Sequence, residues 1–129
     1  MRLVLTLWFF CSFGLLLHAQ SEQLLKFKSE KIELGEITKG ELIKGSFDFT
    51  NVSDKDVIID LVSTCECTEA IWSEDIISPG ETGQIAFIFD SSKKDEVEPI
   101  DVDVILKNMN GEGIPYFYYL SYSFDFIAQ

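Results

Sequence analysis

Tyr116-Phe117-Tyr118-Tyr119-Leu120-Ser121-Tyr122-Ser123-Phe124-Asp125-Phe126 is the stretch that decides the fold. Its even positions, Tyr116, Tyr118, Leu120, Tyr122, Phe124 and Phe126, are all large and apolar, whereas Ser121, Ser123 and Asp125 hold odd positions. Side chains alternate across a strand with period two, so the pattern specifies a strand with one buried face. A helix would scatter the same aromatics around its circumference.

The alternation continues upstream. Asn108-Met109-Asn110-Gly111 marks a hairpin into the last strand, Asn-Gly being the strongest short hairpin signal. Val102, Val104 and Leu106 alternate with Asp101, Asp103, Ile105 and Lys107, and the charged loop Ser91 to Pro99 before them is expected to be the least ordered stretch. Ile85, Phe87 and Phe89 form another one-sided run, entered from the turn Ile77-Ser78-Pro79-Gly80-Glu81-Thr82-Gly83, where proline presets φ and glycine permits φ > 0. Val57 to Val62 is apolar on both faces except for Asp60, which predicts an interior strand. Ile43, Phe47 and Phe49 share one parity ahead of the polar turn Asn51 to Asp56, and Phe27 to Ile37 reads as a first strand interrupted near Gly35. About seven short strands with no competing amphipathic helix predict an all-β fold, an immunoglobulin-like antiparallel β-sandwich.

The 129 residues carry a net charge of −12, but the chain has two unlike parts. Met1-Arg2 followed by the apolar run Leu3 to Leu17 and by Leu17-His18-Ala19 has the plan of a signal peptide over 1–19, with cleavage between Ala19 and Gln20. A near-continuous apolar run of fifteen residues falls short of the roughly 20 that span a bilayer, so no membrane span is expected after cleavage, and Cys11 leaves with the leader. The expected mature part is a single domain, residues 20–129, with 9 Lys against 22 Asp and Glu, or −13. Such acidity argues against nucleic acid and anionic membrane surfaces as partners, since both need a positive field. The chain ends at Gln129 directly after the aromatic strand, so no C-terminal anchor is expected.

Residues 20–129 contain no histidine, His18 being the only one in the chain. A Ser-His-Asp triad, a Cys-His pair or a His-based zinc or copper site cannot be built from this part alone. The one local motif with chemical potential is Ser63-Thr64-Cys65-Glu66-Cys67-Thr68. Cys65 and Cys67 have three open readings: partly buried small residues at a strand end, a disulfide, or a thiolate pair for Cu(I) or redox work. Extended i and i+2 residues lie about 6.5 Å apart, so a bridge needs a local bend. A metal would need further ligands, with Met109, carboxylates or a second chain as candidates. Glu96, Glu98, Asp101 and Asp103 form an acidic run that reads as a solvated face or as edge protection; a Ca²⁺ site or an acid–base pair is the alternative. Asn51-Val52-Ser53 matches a glycosylation acceptor, although Asn at a turn has its own backbone role, and Trp72 reads as core rather than a ligand platform.

Taken in order, Ile32-Glu33-Leu34-Gly35-Glu36-Ile37 with Gly40, Phe47-Asp48-Phe49-Thr50-Asn51, Val57-Ile58-Ile59, Ser63 to Thr68, Pro79-Gly80-Glu81 with Gly83, and Ile85 to Asp90 resemble one family. It is the bacterial exported immunoglobulin-like family called domain of unknown function 1573, and the resemblance covers residues 27 to about 108. Two positions depart from it: Glu66 stands where the family usually has a small residue between its cysteines, and Lys94 to Pro99 lacks an expected glycine. The family is similar to the sandwich modules of major sperm protein and ciliary proteins, which are scaffolds and binding modules. The resemblance and the missing histidine together imply an exported, non-catalytic binding or scaffold module, periplasmic or extracellular, without a cofactor. Its expected partner is an envelope protein or a glycan. The alternative is a thiol-based redox or Cu(I)-handling protein using Cys65 and Cys67; donation of an edge strand to a larger assembly is a third reading.

Overall fold

The computed structural model describes residues 22–128. The leader 1–19 and its Ala19–Gln20 cleavage point lie outside the described residues. Eight strands follow one another: β1 (Leu25–Phe27), β2 (Lys31–Ile37), β3 (Leu42–Asn51), β4 (Ile59–Ser63), β5 (Thr68–Ile71), β6 (Thr82–Asp90), β7 (Ile100–Met109) and β8 (Pro115–Phe126). They form two four-stranded sheets, β1-β3-β6-β5 and β2-β8-β7-β4, packed face to face as a sandwich.

The aromatic strand lies between β2 and β7 in the second sheet and buries the even face that its pattern predicts. Leu120, Tyr122 and Phe124 are buried and face Phe87 and Phe89 of the first sheet. Phe87 and Tyr122 stack across the sandwich at 4.5 Å between ring centroids, and Phe89 meets Phe124 at 4.8 Å. Tyr118 keeps its hydroxyl at the rim, where it accepts hydrogen bonds from the Leu24 and Leu25 amides, both 3.0 Å. Two glycines make room for this core. Gly45 lies opposite Phe87 and Gly83 opposite Phe49 in the β3–β6 ladder, and each ring folds over its partner glycine. A Cβ at Gly83 would stand 2.6 Å from the Phe49 ring, and one at Gly45 would overlap Phe87.

Several expectations change in the details. The single strand expected over Phe27 to Ile37 is two strands, because the chain crosses between sheets at Lys28–Glu30. It crosses without reversing, so β1 runs antiparallel to β3 while β2 runs parallel to β8, the one parallel pair among the described residues. The interior strand expected at Val57 to Val62 is instead the edge strand β4. Its apolar residues occupy both parities because of an irregularity between Ile59 and Leu61, which turns Ile59 and Val62 inward and leaves Leu61 and Asp60 exposed. Val57 sits outside the strand, bridged to Ile77.

The turns also shift. Ser78-Pro79-Gly80-Glu81 closes with Glu81 N–H on Ser78 O at 3.0 Å and Gly80 at φ +83°, a type II arrangement. The last hairpin is displaced from Asn108–Gly111 to Asn110–Ile114: Asn110 Oδ1 accepts the Glu112 and Ile114 amides, and Gly113, not Gly111, takes positive φ. The charged loop after β6 begins with a 3₁₀ turn at Ser91–Lys93, capped by Asp90, and Ser91 is wholly buried.

Candidate functional site

Two places among the described residues bring together side chains with chemical or binding potential. The first is the crossing from β4 to β5. Ser63 still pairs with Asp103 in the second sheet and Thr68 with Phe89 in the first, so Thr64–Cys67 spans the two layers. Thr64 Oγ1 donates to Asp101 O at 2.9 Å, and the Asp90 amide donates to Cys67 O at 2.8 Å. The bend closes with Thr68 N–H on Cys65 O at 3.1 Å, drawing the Cys65 and Cys67 Cα atoms to 5.1 Å, with their sulfurs joined as a disulfide. No non-glycine residue takes positive φ among the described residues, so Glu66 occupies the bend without left-handed strain.

Behind the bridge, Thr68 Oγ1 lies 3.4 Å from each sulfur and is hydrogen-bonded to the Tyr122 hydroxyl. Burial pushes the Tyr122 phenol up to about 12, with the Thr68 hydrogen bond pulling the other way. Cys67 is buried, while Cys65 is half-buried beside a surface cleft shared with Lys94, Glu98, Asp101 and Asp103. The cysteine motif and most of the acidic run thus meet at one spot. Lys94 is ion-paired with Glu98. Met109, the sulfur candidate for a third metal ligand, sits at the opposite end of β7, about 20 Å along the strand from Asp103. Among the described residues no three His, Cys, Asp or Glu side chains are grouped to hold a metal ion.

Asn51 is buried and satisfied inside the turn. Its Nδ2 donates to Lys55 O at 2.7 Å and Ile77 O at 2.9 Å, and its Oδ1 accepts from Ser53 N–H and Oγ. With both amide protons so held, the Asn51-Val52-Ser53 match is a turn lock and not an accessible acceptor. Trp72 packs half-buried against the core.

The second place is the outer face of the second sheet, which the alternation pattern had assigned to polar residues. Leu61, Ile105 and Phe117 are direct cross-strand partners on β4, β7 and β8, and Ser63, Asp103 and Tyr119 form the next rung. Leu61 is 46% exposed, Phe117 45% and Tyr119 74%, with half-buried Ile105 between them. Met109, opposite Pro115, extends the patch toward the hairpin. The sequence signal was present: Tyr116 to Tyr119 is four aromatics in a row, so apolar residues spill onto the polar parity. The outer face of the first sheet differs. Its exposed Leu42 and Ile71 are separated by the rung Lys44, Ile88 and Glu69.

Two sheets of four strands, with the chain crossing repeatedly between layers, define a β-sandwich of immunoglobulin-like type. The human CEP192 ASH/PapD-like domain 7 superposes with a TM-score of 0.69 at 11% identity, over 92% of this chain and 97% of that one. The Vibrio cholerae protease VesB matches with a TM-score of 0.62 at 14% identity, over 79% of this chain, which spans about a third (32%) of VesB. A Porphyromonas gingivalis W83 protein of unknown function matches with a TM-score of 0.60 at 15% identity, over 78% of this chain and 46% of that one. At these identities the likeness is one of fold. No curated protein sequence matches the chain. The chain belongs to the family described as protein of unknown function (DUF1573), whose model matches residues 25–114. Among the described residues no helix is long and apolar enough to cross a membrane.

Proposed function

We propose that this chain is an exported, non-catalytic binding or scaffold module of the bacterial cell envelope that docks an envelope protein or glycan on the outer face of the β2-β8-β7-β4 sheet. The observation that carries the reading is the rung Leu61, Ile105 and Phe117 with Tyr119 beside it, a cluster of large apolar side chains that no other described residues cover. Contiguous exposed apolar surface of this kind marks interaction sites in soluble domains, and tyrosine is a frequent anchor in them. Export rests on the leader at 1–19. A photo-crosslinking residue placed at 119 in the living cell is expected to capture an envelope component, while one at Gln84, on the outer face of the other sheet, captures none. Equal capture from both positions, or none from 119, defeats the reading. The exported form is expected to begin at Gln20 on N-terminal sequencing.

A second reading, thiol–disulfide exchange, draws on the position of Cys65, half-buried between the core and the lining of a polar cleft. If it holds, replacing Cys65 and Cys67 with serine abolishes activity in a disulfide-exchange assay, whereas the docking reading expects crosslinking from 119 to survive that change.

A further inference from the structure

We infer that the occupant of this face is a protein surface whose apolar side chains stand beside lysines or arginines; this rests on the docking reading above. The face is graded along β8. Phe117 and Tyr119 lie at one end, and beyond Ser121 and Ser123 it ends in Asp125. Neighbouring strands add to the same gradient: Asp103 lies opposite Tyr119, Asp101 opposite Ser121, and Glu33 opposite Ser123. Against these carboxylates the face carries Lys31, opposite Ser121, and Lys107 beyond Ile105. A partner covering the apolar end therefore extends over a field that is negative on balance, and complementary charge is what steers and registers such contacts.

The same charge decides between occupants. A second copy of residues 20–129 would bring an acidic face and a net charge of −13 against its like, a repulsion that only salt relieves. A neutral glycan would use Tyr119 for stacking but would draw nothing from the excess of carboxylates and would leave Leu61 and Phe117 in partial contact. A basic, apolar protein segment uses both halves of the face.

The test is a nuclear magnetic resonance titration of the chain purified after export, with three probes. They are a synthetic peptide alternating lysine with leucine and phenylalanine, its glutamate counterpart, and an N-acetylglucosamine oligomer. The lysine peptide is expected to shift the amides of Asp103, Phe117, Tyr119 and Ser121, and to bind about tenfold more weakly as salt rises through the range where the screening length shrinks. Tyr119→Ser and the pair D101N with D103N are each expected to weaken it about tenfold, while D48N with E69Q, the same charge change on the other sheet, leaves it unaltered. Equal weakening by the two charge pairs would mean general attraction to an acidic chain and would overturn the inference. So would preferential binding of the glutamate peptide or of the oligomer on this face. If D101N with D103N leaves the affinity intact while capture from position 119 persists in the cell, the charge inference falls and the docking reading stands; loss of capture at 119 removes both.

Discussion

Tyr119 and Tyr122 stand three residues apart on β8, one 74% exposed and the other wholly buried. The two faces of this strand use similar side chains for opposite ends. On the inner face, the Tyr122 ring stacks on Phe87 and its hydroxyl meets Thr68 behind the Cys65–Cys67 bridge. On the outer face, Tyr119 lies opposite Asp103 and is largely exposed. Aromatic content alone therefore says little about role; parity within the strand and the presence of a second layer decide whether a ring stabilises the fold or is left free to bind.

The sharpest way to break this comparison is to truncate the inner tyrosine. Tyr122→Ala is expected to destabilise by about 3 to 5 kcal/mol in urea unfolding, the range for emptying an aromatic site in a core. A value below about 1 kcal/mol would mean the stack is not part of the core. Alkaline titration probes the same residue without mutation. The folded phenol is raised to about 12 from the ordinary 10, so its neutral form is favoured by folding. That contribution is whole below pH 10, where both states hold the proton. It is lost between about pH 10 and 12, as only the unfolded state ionises, and amounts to roughly 2.5 kcal/mol. Tyr122→Phe is expected to flatten this part of the stability–pH curve.

Smaller changes test the glycines and the bridge. Gly45→Ala places a methyl group into the Phe87 ring and is expected to cost about 2 kcal/mol, as is Gly83→Ala against Phe49. A neutral result would show that the rings relax freely. Replacing Cys65 and Cys67 with serine opens a loop of only three residues, for which the chain-entropy relation gives about 1.5 kcal/mol. A loss above about 4 kcal/mol would make the bridge a staple of the crossing and not a minor brace. The smallest effect on stability is expected on the outer face: Tyr119→Ser should change the unfolding free energy by less than about 0.5 kcal/mol while weakening the lysine peptide about tenfold.

Much of this fold was legible from residue order. The even-position aromatics of β8 and the runs Ile85, Phe87, Phe89 and Val102, Val104, Leu106 are all on the inner face, because period two follows from strand geometry and needs no partner to be read. The crossings were not legible. Phe27 to Ile37 alternates well enough for one strand, and nothing local marks Lys28–Glu30 as the point where the chain changes sheets. Val57 to Val62 imitated an interior strand because a local irregularity puts its apolar residues on both parities, a pattern indistinguishable in sequence from two buried faces. The site was half legible. Cys65, Cys67 and the acidic run were each visible, but their meeting at one cleft depends on the β4–β7 pairing of residues some forty positions apart.

By itself, then, the sequence determined the class of fold, the inner face of nearly every strand, the acidic charge and the want of histidine in residues 20–129. These follow from side-chain type and short-range periodicity. Only the tertiary structure decided which strands are edges, that β2 runs parallel to β8, that the cysteines meet in a bend between layers, and that Leu61, Phe117 and Tyr119 share one uncovered face. Each of those depends on long-range strand pairing, which sets the neighbours of a residue through contacts that its own local sequence does not encode.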